Sequence, residues 1–250
     1  MNIYADLHIH VGFANNRFVK IPSSKDMTLR KILQVSKYEK GLQCISIVDF
    51  INQDVLIEFN SLLQYGVIVE KDNNFYYDNM LIIPSCEIEL RFGSKGFHCL
   101  IYFDDFDKIR LFKTSCEKYL PKNVLSCPVF RADISKLEQI IDRLNLLLIP
   151  AHAFTPYKGF YSCSCNIKNV FKHINVYSVE LGLSADTGMV KCVEDVNKMS
   201  FLTNSDAHSL KNIAREFNCF YLTELKTKDV FMAIIENKIL ANFGLNPRLG

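Results

Sequence analysis

The sequence predicts an α/β fold, with a closed β/α barrel favoured over an open sheet. Three observations carry this. Short apolar runs alternate with helix-period segments about seven times along the 250 residues. The runs are continuously apolar, as in strands covered on both faces. The glycine fingerprint of dinucleotide-binding sheets and the phosphate-binding P-loop are both missing, so length and repetition favour the barrel.

In chain order the predicted strands are Ile3–Ala5, Cys44–Val48, Leu81–Ile83, Cys99–Phe103, Leu146–Ile149, Val176–Leu181, Phe201–Thr203 and Ile239–Asn242. Between them lie amphipathic stretches. Leu137, Ile140, Ile141 and Leu144 keep i, i+3, i+4, i+7 spacing. Met189, Val193 and Val196 follow an N-cap candidate at Asp186, and Thr227 is placed to cap a helix carrying Val230, Phe231, Ile234 and Ile235. No repeat, low-complexity tract or Pro/Gly-rich linker interrupts the pattern, so residues 1–250 read as a single domain.

Composition narrows the function. Apolar residues make up 49% and charged residues 22%, as in ordinary globular proteins. With 29 basic and 27 acidic residues the net charge is +2. That excludes a strongly basic nucleic-acid coat and leaves a local basic groove open. The longest apolar runs, near Leu144–Pro150 and Leu81–Pro84, fall far short of the ~20 residues of a membrane span. The first residues lack a secretory pattern. The nine cysteines are odd in number and several sit inside apolar runs, so reduced thiols and a cytoplasmic location are expected. There is no C-x-x-C pair, and Cys163 with Cys165 reads as two loop thiols.

The six histidines decide the chemistry. His8 and His10 follow the first strand, His152 follows Leu146–Ile149, and His208 follows Phe201–Thr203 with Asp206 two residues before it. His98 immediately precedes Cys99–Phe103. Carboxylates follow the same rule at Asp49, Glu87 and Glu180. In a β/α barrel such strand ends meet on one rim, where active sites are built. Period-two spacing sends His8 and His10 to one side of an extended segment, so both imidazoles can meet one ion. Any one of these residues is more often a hydrogen-bonded structural histidine or a helix cap. Their recurrence on separate strands points to a polynuclear centre of zinc, manganese or iron(II). His173, in a polar stretch, reads as a surface residue.

In this order the residues resemble the PHP superfamily of polymerase and histidinol phosphatase domains. Tyr4-Ala5-Asp6-Leu7-His8-Ile9-His10 looks like its first motif, and Asp49, Glu87, His98, His152 and Asp206 with His208 fall where later motifs would. Pro150–Pro156, Glu180–Asp186 and Asn204–Ser209 are similar to stretches of the endonuclease Q family, and Gly244–Gly250 to the point where that family leaves its PHP domain. The resemblance implies a distorted seven-stranded (β/α) TIM-like barrel with up to three metal ions. It also implies DNA repair by nicking on the 5′ side of deaminated bases, uracil or hypoxanthine, and of abasic sites. Two departures stand out. Where the superfamily usually has Thr-Asp-His-Asp, this chain has Val48-Asp49-Phe50-Ile51-Asn52, so one ion is expected to be looser or missing. Longer members continue into a cysteine-bearing zinc module and a further domain that lie beyond Gly250.

The ligand set implies phosphodiester hydrolysis by water activated on divalent cations, zinc first, with manganese, iron or magnesium as alternatives. His8, His10, Glu87, Asp206 and His208 are assigned to one side of the cluster. Asp49, His98 and His152 go to the other, with Glu87 as the bridge and with Glu87, Asp206 and His208 at the chemistry. Asp6 is expected to orient His8, with Glu180 also supporting the ligands. The basic segment Arg17, Lys20, Lys25, Arg30 and Lys31, with Phe13 and Phe18 interleaved, suits either DNA contact or a solvated face. Arg17, Lys20 and Tyr157 are the candidate substrate contacts, and DNA containing damaged bases is the expected partner. A phosphomonoesterase acting on a small metabolite and a non-catalytic PHP module remain alternatives.

Overall fold

The computed structural model describes residues 1–164 and 166–246. Cys165 of the thiol pair and residues 247–250 of the tail resemblance lie outside the described residues. The strands are β1 (Asn2–Ile9), β2 (Phe13–Ala14), β3 (Arg17–Phe18), β4 (Cys44–Ile47), β5 (Val69–Lys71), β6 (Asn74–Tyr77), β7 (Met80–Phe92), β8 (Lys95–Tyr102), β9 (Leu147–Pro150), β10 (Ser178–Glu180), β11 (Ser200–Leu202), β12 (Phe217–Tyr221) and β13 (Ile239–Phe243). The α-helices are α1 (Leu29–Gln34), α2 (Gln53–Gln64), α3 (Phe106–Cys116), α4 (Ile134–Leu144), α5 (Ile167–Val170), α6 (Thr187–Val190) and α7 (Thr227–Ile235). All eight predicted strands are present, with ends shifted by a few residues.

The central sheet has nine strands. Its path runs β13-β12-β1-β4-β7, then through β8 to β9, while β6 and β5 pair on the start of β7. β1, β4 and β7 are parallel, and β8 runs antiparallel between β7 and β9. That reversal explains the position of His98: on an antiparallel strand the same rim is met at the start, before the apolar run. Ile3, Ala5, Leu7, Ile83, Leu100, Ile149 and Phe220 build the core on one face, closed by Val230, Ala233 and Ile234 of α7. The other face packs Ile45, Ile47, Ile82 and Ile101 beneath α2, α3 and α4.

The barrel expectation needs correction. Among the described residues the backbone ladders do not close, because β10 and β11 pair only with each other. Asparagine amides bridge this seam instead. Asn218 accepts from Thr203 N at 2.9 Å and donates to Thr203 O and Ala5 O. Asn204 accepts from Leu7 N, and Asn242 donates to Phe201 O at 2.7 Å. On the other flank Ala153 N donates to Glu180 O at 2.7 Å.

Two helix assignments also change. Asp186 does cap α6, accepting from Met189 N, but the helix ends at Val190. The apolar spacing through Val196 is satisfied by successive i→i−3 turns. α7 is capped at Lys226 without a side-chain bond, and Thr227 N donates instead to Asn74 Oδ1.

Candidate metal centre

The donors gather at one rim. β1 delivers His8 from within the strand and His10 one residue past its end, with their Nε2 atoms 3.1 Å apart. Glu87, fully buried in β7, reaches both: Oε1 is 3.7 Å from His8 Nε2 and Oε2 is 3.3 Å from His10 Nε2. Asp206 Oδ1 lies 3.4 Å from the first imidazole nitrogen and 3.2 Å from the second. An ion held tetrahedrally at the usual ~2.0–2.1 Å needs donors about 3.3–3.4 Å apart, and these separations cluster around that edge. On the far side of Glu87 a second bay opens. Its Oε1 is 2.8 Å from His98 Nδ1 and 3.3 Å from His152 Nε2. Glu87 is therefore the shared carboxylate, as expected.

The outer partners fix which nitrogen faces inward. Glu180 lies 3.1 Å from His8 Nδ1 through both oxygens, and also accepts from His152 N and Asn204 Nδ2. It therefore takes the Nδ1 proton and leaves Nε2 as a lone-pair donor. Asp49 does the same for His10, with Oδ2 3.3 Å from Nδ1 while also accepting from Val11 N at 2.7 Å. With both Nδ1 atoms protonated, the facing Nε2 atoms are two acceptors in contact, an arrangement that calls for a cation between them. Buried Asp49 Oδ1 and Asp206 Oδ1 also lack a hydrogen-bond partner. The residues fit divalent ions.

Electrostatics agree. Burial opposes ionisation of Glu87, yet His98, Lys20 and His10 hold its carboxyl well below the usual range. Burial and Lys20 lower the His10 imidazolium, but Asp49 and Asp206 outweigh them and lift it to about 10. A divalent cation would satisfy the same negative field in place of the proton. Burial, then His10, push His208 down to about 4.

Three expectations change. Asp49 stands behind His10 and not with His98 and His152. Asp6 does not reach the His8 ring. It accepts from Ser205 Oγ at 2.5 Å, Ser205 N at 3.1 Å and Ala214 N at 2.9 Å, so it ties down the loop that presents Asp206. His208 donates Nδ1–H to Asp206 O, and its ring lies 4.8 Å from that of His10 at the edge of the first bay. Cys127 was not singled out from the sequence. It forms a donor group with Glu87 and His98, and its neighbour Ser126 places Oγ 3.0 Å from His10 Nδ1. No local pattern marks that loop, so only the fold could find it.

Backbone strain marks the same rim. His152 has φ 31° and Asp206 has φ 45°, positions that cost non-glycine residues ~1–3 kcal/mol each. Gly182, at φ +73°, packs against His152, where an added Cβ would lie 2.8 Å from the histidine Cβ.

A cleft of about 480 Å³ opens over the donors, lined by Lys20, His98, His152, Tyr157, Lys158 and Asp206. The larger cavity, about 860 Å³, lies beside the cluster and holds Arg17, Phe18, Lys113 and Lys122. Arg17 is exposed, 4.0 Å from Asp54 and away from the metal ligands, and Tyr157 is exposed at the cleft rim. Lys20 reaches the donors themselves. His173 is exposed, and the eight described cysteines form no disulfide. Among the described residues no helix is long and apolar enough to cross a membrane.

No family model matches the chain. It is 34% identical over 257 residues to the uncharacterized protein YqxK of Bacillus subtilis, covering 99% of this chain and 66% of that protein. Among solved structures it superposes on the lesion-specific endonuclease PfuEndoQ of Pyrococcus furiosus with TM-score 0.86 and 30% identity, covering 100% of this chain and 60% of that one. A structure of endonuclease Q with a 27-mer duplex carrying an abasic lesion at the active site gives TM-score 0.86 and 28% identity, covering 100% of this chain and 61% of that one. A two-domain Bacteroides vulgatus protein containing a predicted PHP-like metal-dependent phosphoesterase shares the fold, with TM-score 0.61 and 15% identity, over 98% of this chain and 65% of that one.

The chain belongs to the PHP superfamily. Within it the likeness to endonuclease Q is the more specific, since it carries sequence identity over the whole chain. This PHP chain spans just under two thirds of its curated Bacillus relative and about three fifths of the endonuclease Q chains.

Proposed function

We propose that this chain is a metal-dependent phosphodiester hydrolase of endonuclease Q type, nicking DNA on the 5′ side of deaminated bases or abasic sites. The observation that carries the reading is the four-donor arrangement of His8, His10, Glu87 and Asp206, sharing Glu87 with His98 and His152 beneath an open cleft. Two or three divalent ions, zinc foremost, would supply Lewis acidity and nucleophilic hydroxide at neutral pH. The chain's own residues do the rest. Glu180 and Asp49 hold the imidazoles in the ligating tautomer, Glu87 spans the two bays, and Asp6 with Ser205 fixes the loop carrying Asp206. Tyr157 at the rim is placed to meet a base, while Arg17 and Lys122 in the neighbouring groove suit a phosphate backbone. The likeness to an endonuclease bound to an abasic duplex supports this choice of substrate.

The test pairs elemental analysis with two substrates: oligonucleotides carrying uracil, hypoxanthine or an abasic site, and p-nitrophenyl phosphate. Bound metal and nicking without phosphate release are expected. Phosphate release without nicking would move the protein to the phosphomonoesterases, and metal without either activity would make it a non-catalytic module. His8→Ala and Glu87→Ala should lose metal and cleavage while keeping the fold by circular dichroism. Full activity in either variant overturns the site.

A further inference from the structure

Lys20 stands apart from the other basic side chains. Its side chain is only 14% exposed, and its ammonium lies 2.8 Å from His10 Nε2 and 3.4 Å from Glu87 Oε2. Among the described residues it is the lysine or arginine that ion-pairs with Glu87. The backbone holds it there from three directions: Val19 N donates to Gly12 O, Ser23 N to Lys20 O, and Ser126 N to Val19 O. The stem is thus threaded between the exit of β1 and the loop that brings Ser126 and Cys127 to the cluster. A solvated surface lysine would keep its head in water; this one places it among the acidic groups Asp49, Glu87 and Asp206.

The opposite flank offers no further ligand. Phe50 is fully buried with its ring 4.8 Å from Phe59. Asn52 commits its whole amide elsewhere: Oδ1 accepts from Asp54 N and Val55 N, and Nδ2 donates to Val124 O. The carboxylates nevertheless need cationic charge on this side, and Lys20 supplies it while also lining the open cleft.

We infer that Lys20 is a protein-supplied cation of the catalytic centre, standing where a further metal ion would be needed and donating N–H to a non-bridging oxygen of the scissile phosphate. The inference rests on the hydrolase reading above. The ammonium keeps its proton throughout. Water adds to phosphorus as the bond to the leaving oxygen breaks, the leaving oxygen ends protonated by solvent, and Lys20 balances the extra charge on the phosphoryl oxygens. The stoichiometric consequence is two metal ions per chain and not three.

Three readouts test it on the full chain: metal content by mass spectrometry after loading with zinc or manganese, affinity for inorganic phosphate by calorimetry, and turnover of a lesion-bearing oligonucleotide. Wild type and Lys20→Met should both hold two ions. The variant should bind phosphate about tenfold more weakly and turn over about 100-fold more slowly. Lys20→Arg should retain most of the phosphate affinity; if the methionine variant misfolds, Lys20→Gln takes its place. Three ions per wild-type chain, or phosphate affinity unchanged by loss of the lysine, overturns the inference. A wild-type chain that takes up no metal defeats the hydrolase reading itself, whereas one that holds two ions, cleaves, and ignores the loss of Lys20 defeats the inference alone.

Discussion

Glu180 illustrates how a residue outside the donor shell decides what the shell can do. One carboxylate contacts His8 Nδ1, His152 N and Asn204 Nδ2. It sets the tautomer of one ligand, the backbone of a second, and the seam beside them. Glu180→Gln keeps the shape but can present an N–H to His8 Nδ1, which favours the wrong tautomer. Metal affinity should fall about 10- to 100-fold with secondary structure intact, measured by competition with a chromophoric chelator. An unchanged affinity would mean that the His8 tautomer is set elsewhere. The ligand types and the H-x-H and D-x-H spacings were legible in the sequence, because period-two geometry follows from strand pleating alone. What each acid touches was not. Asp6 and Asp49 both follow apolar residues near strand ends, yet one binds Ser205 and the other His10, since their partners lie 199 and 39 residues away.

At the scale of elements, the sequence spoke where strands are continuously apolar and fell silent where polar residues close the fold. β12 reads Phe217-Asn218-Cys219-Phe220-Tyr221, and buried Asn218 hides it from a hydrophobic count. The β5–β6 hairpin was also missed, although its turn residues Asp72 and Asn73 both take positive φ, as tight hairpins need. The barrel expectation failed for the same reason, since Asn218, Asn204 and Asn242 stand where a ladder would run. Asn218→Ala would strip the amide that satisfies Thr203 N and Thr203 O in a buried seam. Each stranded group costs ~1–3 kcal/mol, so a loss of about 3 kcal/mol is expected in urea unfolding. A loss below about 1 kcal/mol would show that the seam is held by packing.

For the whole molecule, stability should depend on pH through a carboxylate away from the metal ligands. Glu216 is buried beside the β13 exit, where Oε1 accepts from Leu245 N and Oε2 has no partner. Burial pushes its pKa up from 4.5 to about 7. The folded state therefore holds the proton more tightly than the unfolded chain, and its stability falls as pH rises from about 4.5 to about 7, then levels. Glu216→Gln should raise the melting temperature at pH 8 and converge with wild type near pH 5. Parallel curves for the two proteins across that range would contradict the assignment.

The two bays hang from different supports. His8 and His10 belong to the parallel centre of the sheet, whereas Glu87 and His98 sit across from each other on the antiparallel β7–β8 hairpin, which runs on to Phe92 and Lys95 at its tip. Eight consecutive residue pairs lock that hairpin into one stiff arm. A push on its tip would carry Glu87 and His98 together and change their separation from His8 and His10. Whatever leans on the arm from outside therefore has mechanical access to the spacing between neighbouring ions, without touching either one.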